Sequence, residues 1–363
     1  MKLPAVKRCL ALMLEENFPK RLEMEIVDKD GRPVQNINYE SYLMYQILGT
    51  MISKYLEQYS CDFSEEKFEE IYNEMISYVY SLGREFVLIS PLENFDLKDL
   101  DEFSADGYKV RRLNEWEIKT LMGSGYFPGS FFTPSGGSIE IIYCIERVIK
   151  TPSKKLYTLF PKEHIIEDFM TALRLFKPGI IGFNVILCYP KIWTDTWAVL
   201  GSLAPQRYAL RSPKYVFEKG DLEPFAAFWN QFKKVKDQLP DNIKFSLRWF
   251  NKSYAEQEAM DRLLDLEIAL EALFQGHKRL DLYLAHFIGS NKNERLKINK
   301  DMEELQKIRG AIVHSGYHKR AQEREFIDLT ESYYRRSMRK FLELFPSLSY
   351  IKIIRNIKES ILD

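Results

Sequence analysis

The chain has 363 residues, and 52 Lys+Arg are balanced by 52 Asp+Glu, so the formal net charge is zero. That length suits two domains or one large one, and 45% apolar with 29% charged residues is a globular composition, not a disordered one. Zero net charge excludes a chain-wide polybasic nucleic-acid binder and leaves room only for a local basic patch. Cys9, Cys61, Cys144 and Cys188 stand far apart with no CxxC pair, which excludes a zinc ribbon and argues against a disulfide framework. Five histidines add few further ligands, so neither a metal nor a cofactor is expected. The N-terminus reads as no signal peptide. The longest uncharged stretch, Ser41 to Ser53, falls short of the roughly 20 residues that a membrane span needs. A soluble, reducing, cytoplasmic protein without a membrane partner is expected.

The first half mixes strands, turns and helices. Asp30-Gly31 inside VDKDGRPV marks a hairpin turn. Residues 40–58 and 64–80 have helical periodicity, with Ser64, Glu65 and Glu66 opening the second helix. EFVLIS (85–90) reads as a short buried strand stopped by Pro91. The acidic stretch LENFDLKDLDEFSAD (92–106) reads as a solvated loop. Asp106-Gly107 is a turn, and Asn114 with Glu117 is a capping box opening a short helix. IEIIYCIERVI (139–149) and IIGFNVILCY (180–189) read as strands, with a helix over 162–176 between them.

From Asp221 onward nearly everything repeats at 3.6 residues. The pattern predicts helices near 221–237, 242–250, 255–275, 278–289, 298–315, 320–345 and 348–361, with Gly316 as a helix stop. LPDN at 239–242 interrupts it. The predicted organisation is α+β: a mixed α/β domain over 1–240, then an all-α helical bundle over 241–363. The Gly/Pro/aromatic loop Gly123–Gly137 lacks the Lys-Ser/Thr ending of a phosphate-binding P-loop. HExxH and GxSxG are absent.

The helical half carries the chemistry. On a wheel of MDRLLDLEIALEALF (260–274), Met260, Leu263, Leu264, Leu266, Ile268, Leu270, Leu273 and Phe274 form one apolar arc. Asp261, Arg262 and Asp265 fall opposite as solvent residues. Glu267 and Glu271 fall inside the arc, one turn apart, where a carboxylate is costly unless paired. The helix ending IRGAIVHSG has Met302, Leu305, Ile308, Ile312 and Val313 on its apolar face, with Arg309 inside it. The simplest inference is a contact of Glu267 or Glu271 with Arg309, favoured by the bidentate guanidinium fork. Such a pair serves either a site or only the bundle's structure. His314 lies about 140° round from Arg309 at 100° per residue, in the last turn, where the helix dipole favours an imidazolium.

Arg309-Gly-Ala-Ile-Val-His314 resembles the R-x4–6-H motif of HEPN domains, all-helical modules found in many RNA-cutting prokaryotic proteins. Arg279-LDLYLA-His286 satisfies the same pattern. Only the 309–314 pair closes a long helix before a glycine and follows an LDLEIALEALF helix, an arrangement similar to the Apea-like HEPN subfamily. Ser315 places the glycine one position later than in that subfamily. Looser similarity runs through PLENF (91–95), GYKVRRLNEWEIKTL (107–121), ALRLFKPGIIG (172–182) and FWNQF (228–232). The resemblance implies RNA cleavage without a metal, with His314 as general acid/base and Arg309 stabilising the phosphorane charge. Glu267 or Glu271 would hold Arg309. It also implies a homodimer through the bundle, since the 140° offset leaves one protomer's motif incomplete and a two-fold axis brings two together. RNA would approach over Arg335, Arg336, Arg339 and Lys340, with Tyr333 and Tyr334 available for stacking; the alternative is a solvated helix face with its tyrosines in the core. A prokaryotic toxin or antiviral-defence effector is implied, with an antitoxin or defence-system partner. The competing reading is a non-catalytic HEPN module that binds RNA, nucleotide or protein.

Overall fold

The computed structural model describes residues 64–80, 85–123, 143–150, 164–183, 185–191, 199–202, 213–256, 258–275 and 279–362, with short pieces at 25–27, 33–36 and within 51–59. It has the expected α+β organisation. A β-sheet part with helices precedes an all-helical part. The Gly123–Gly137 loop beyond Gly123, and most of the helix expected over 40–58, lie outside the described residues. The hairpin read at Asp30-Gly31 is flanked by an antiparallel pair, β1 (Glu25–Val27) with β2 (Pro33–Asn36).

The main sheet has six antiparallel strands in the order β5-β6-β7-β3-β8-β9. These are β3 (Glu85–Pro91), β5 (Phe103–Ala105), β6 (Tyr108–Arg112), β7 (Tyr143–Lys150), β8 (Val185–Pro190) and β9 (Val199–Ser202). Central β3 is apolar on both faces because both are covered. Phe86 and Leu88 join the main core, while Val87 and Ile89 pack with Leu121 of helix α2 (Glu115–Gly123) on the other side. The Asn114–Glu117 capping box forms at 2.8 Å in both directions. The buried Glu117 carboxylate also takes two bonds from Arg111, at 2.9 and 2.6 Å, and one from the Tyr189 hydroxyl at 2.6 Å.

The stretch 92–106 is a correction. It holds β4 (Phe95–Lys98), paired in parallel with β10 (Tyr215–Glu218), and then β5. Phe95, Leu97, Phe103 and Ala105 alternate inward with polar residues between them. Acidic residues at Asp96 and in the connection between the strands, Asp99, Asp101 and Glu102, masked that period.

Helix α1 (Glu65–Tyr80) contributes Phe68 and Ile71 to the core. α3 (His164–Phe176) lies on the sheet, where the Phe169 ring stacks on Tyr108 at 4.5 Å and meets Trp229 of α4 (Leu222–Lys236) at 5.2 Å. The remaining helices are α5 (Asp241–Ser253), α6 (Ala259–Leu273), α7 (Leu280–Ile288), α8 (Lys292–Ser315), α9 (Arg324–Leu344) and α10 (Tyr350–Leu362). A 3-10 turn, Lys319–Gln322, links α8 to α9. The core runs without interruption from the sheet through α3 and α4 into the bundle. Among the described residues no helix is long and apolar enough to cross a membrane.

A buried polar seam joins the two halves. Arg335 of α9 donates to the carbonyl of Arg174 at the C-terminal end of α3 at 2.7 Å, to the Tyr254 hydroxyl at 3.1 Å, and to Glu331. Arg262 donates to the other oxygen of Glu331 at 2.7 Å, and Tyr254 also donates to that carboxylate. The Arg174 guanidinium lies over the Tyr254 ring at 4.4 Å and donates to Asn251 at 2.9 Å. Burial disfavours the Arg335 charge, but Tyr254 and Glu331 outweigh it and hold the pKa above its ordinary value.

Candidate functional site

The site is built on α8. Asn291 caps its start by accepting from the Glu294 amide at 3.0 Å, and Glu294 reaches back to the Ser290 amide at 2.8 Å. The helix begins well before residue 298 because this polar cap opens it, ahead of any apolar periodicity. Ile298, Met302, Leu305, Ile308 and Ile312 form its buried face. Gly316 ends it at φ 73°, with its amide bonded to the Ile312 carbonyl at 2.8 Å. A left-handed terminal residue of this kind suits glycine.

Arg309 meets both predicted carboxylates. Its Nε lies 3.3 Å from Glu267 Oε2 and its Nη1 lies 3.5 Å from Glu271 Oε1. The details differ from the expectation in two ways. Arg309 is 44% exposed rather than buried, because it stands at the flank of the apolar stripe, one helical step beyond Ile308. It also spans two carboxylates with one nitrogen each and does not grip either as a fork. Val313 likewise leaves the apolar face and is 65% exposed, 100° round from Ile312.

Glu267 is the unusual group. Its side chain is 1% exposed, and among the described residues neither carboxyl oxygen accepts a hydrogen bond. Burial pushes its pKa up to about 8; Arg309 opposes that rise and Glu271 adds to it. A protonated Glu267 withdraws no charge from Arg309, so the guanidinium keeps its attraction for an incoming anion. Around it, two further expectations are corrected. Asp265 is buried and takes two bonds from Lys252, both at 2.9 Å, and Arg262 is engaged with Glu331. Both lie on the flanks where α6 packs against α5 and α9, and the isolated wheel assigned those flanks to solvent.

His314 is exposed in the last turn of α8. No hydrogen bond or ion pair joins it to Arg309 among the described residues. At 1.5 Å rise per residue the two positions are about 7.5 Å apart along the axis and point in different directions. Val313 and Tyr317, 65% and 54% exposed, bracket His314. Tyr317 lies beyond the helix stop, and no periodic signal could have singled it out. His318 is consumed locally, accepting from the Arg320 amide at 3.2 Å. The second R-x-H pair is divided between unrelated contacts. Arg279 pairs with Asp281 at 3.0 Å, while His286 meets Ser360 of α10 at 3.1 Å and burial lowers its pKa.

The cations expected to receive RNA form no open strip, because each already has an acceptor in the fold. Arg335 is buried in the seam. Arg336 donates to Glu294 at 2.6 Å and to the Ile288 carbonyl at 2.9 Å. Arg339 donates to the Phe176 carbonyl at 3.2 Å, and Lys340 donates to the Phe287 carbonyl. Tyr333 and Tyr334 are core residues. Among the described residues, no group of three or more His, Cys, Asp or Glu stands together as a metal site. Comparisons with family models, with curated proteins and with solved structures find no match.

Proposed function

We propose that the chain is a metal-independent endoribonuclease of the HEPN type, acting as a homodimer in which two α8 ends form one cleft. The observation that carries this reading is the state of Arg309. It is anchored between Glu267 and Glu271, remains 44% exposed, and shares a helix end with an exposed His314. A cation held between the neutral carboxyl of Glu267 and the Glu271 carboxylate, and still open to solvent, suits a phosphate that gains charge on the way to a phosphorane.

In the proposed reaction the 2′-hydroxyl of RNA attacks the adjacent phosphorus, and the bond to the 5′-oxygen of the next nucleotide breaks. His314 takes the hydroxyl proton or supplies one to the leaving oxygen, and the product end is a 2′,3′-cyclic phosphate. The need for the 2′-hydroxyl restricts the substrate to RNA. One protomer directs Arg309 and His314 apart, so a partner's motif supplies the missing half. Exposed Val313 and Tyr317 give a two-fold contact apolar surface to cover. A toxin or defence role, with an antitoxin or similar partner, is consistent with this activity.

The test compares wild type with His314→Ala on end-labelled RNA in excess EDTA, with light scattering to give the mass. Cyclic-phosphate ends from a dimeric wild type, and at least a hundredfold slower cleavage by the variant, are expected from the loss of a general acid/base, worth about 10²–10⁴-fold. Equal cleavage by both would remove His314 from the chemistry. No cleavage by either would favour the non-catalytic binding module.

A further inference from the structure

Three of the cations expected to receive RNA, Arg335, Arg336 and Arg339, instead line one wall of a cleft of about 290 Å³. The opposite wall is the turn after α3, from Phe176 through Lys177, Pro178 and Gly179 to Ile180. Gly179 is required there. It has φ 138°, and a Cβ would fall 2.8 Å from the Tyr215 backbone. The turn therefore holds its place against β10 while α9 forms the facing wall.

The charges of the cleft do not cancel. Lys177, Arg335, Arg336 and Arg339 line it together with Asp328 and Glu331. The outer partners are Asp221 on Lys177, Glu294 on Arg336, Arg324 on Asp328 and Arg262 on Glu331. Among the lining residues themselves, four cations face two carboxylates, a surplus of two positive charges. The surplus is local. Arg339 has no carboxylate partner among the described residues, and Arg335 shares Glu331 with Arg262. The Nη1 of Arg335 has no hydrogen bond among the described residues, although its other donors are engaged. Phe176, Pro178 and Ile180 add an apolar side to the same cleft.

We infer that this cleft binds a nucleoside monophosphate. A phosphate monoester carries about −1.5 to −2 at neutral pH, which matches the surplus. Arginine donors suit its oxygens. The apolar turn suits the flat face of a base. The volume of about 290 Å³ falls just below the range of small-molecule pockets, about 300–1,000 Å³, and suits a ligand no larger than one nucleotide. The site belongs to the junction of the two halves and is independent of the Arg309–His314 reading.

Isothermal titration calorimetry on the full chain with adenosine 5′-monophosphate tests it. Saturable binding is expected, with adenosine and inorganic phosphate each at least tenfold weaker. Arg339→Ala should weaken binding about ten- to hundredfold, the worth of a charge-assisted hydrogen bond. Ser332 also lines the cleft, and Ser332→Phe, which fills the cleft without changing its charge, should abolish binding. Failure of the nucleotide to bind would overturn the assignment, as would unchanged affinity in both variants or adenosine binding as tightly as the monophosphate. Tighter binding of a 5′-phosphorylated RNA tetramer would also overturn it, in favour of a strand end. All these readouts are binding affinities, so loss of ribonuclease activity would leave them untouched.

Discussion

Glu267 gives the protein a stability profile opposite in sign to that of an ordinary salt-bridged carboxylate. Its pKa is about 8 in the fold, against the ordinary 4.5 of an unfolded chain. Between those values the folded state holds a proton that the unfolded state has released, so stability falls as pH rises through the window. The slope approaches 1.4 kcal/mol per pH unit for one proton, and the whole window sums to about 5 kcal/mol. Glutamine has the same shape and does not titrate. Glu267→Gln should match wild type near pH 5 and exceed it by about 3 to 5 kcal/mol near pH 8. Urea unfolding of both proteins at pH 5, 6.5 and 8 measures this. Asp265 and Glu93, raised by burial to about 6 and about 7, titrate in both proteins and cancel in the difference. Parallel profiles for wild type and variant would refute the assignment of a neutral buried Glu267.

Two further outcomes separate the surface arginine from the buried one. Arg309→Ala should change stability at pH 7 by less than about 1 kcal/mol, because an ion pair with a partner 44% exposed is largely screened; a loss above about 3 kcal/mol in denaturant titration would make Arg309 a structural residue. Arg335→Ala should cost about 3 to 5 kcal/mol by the same measurement, since it strips charge from a buried Glu331 and leaves the α3 carbonyl without its donor; a cost below about 1 kcal/mol would mean that the seam contributes little.

The parts legible in the sequence were those set by short-range rules. Asn114 and Glu117 announce a capping box, Gly316 announces a helix end, and the period of three to four residues announces the helices of the second half. The Glu267/Glu271–Arg309 contact was legible because two carboxylates on an apolar arc demand a cation. What failed depends on neighbours. A single-helix wheel cannot show that α5 and α9 cover Asp265 and Arg262, nor that Ile308 and not Arg309 faces inward. The acidic residues around β4 and β5 hid an alternation that only a partner strand makes meaningful. Tyr333-Tyr334-Arg335-Arg336 has the composition of a nucleic-acid surface, and nothing local reveals that the α3 carbonyls stand 161 residues upstream of Arg335.

That separation has a consequence in time. A ribosome adds about 5–20 residues per second, so the α3 terminus is made roughly 8 to 32 s before the arginine that caps it. Throughout that interval α3 exists without α9, the Arg174 and Phe176 carbonyls lack their arginine donors, and the turn at Pro178-Gly179 has no facing wall. The nascent first half therefore cannot close its C-terminal edge on its own. Completion of the seam is a late event of synthesis, and a chain truncated before α9 would leave the ribosome with that edge open to chaperones and proteases.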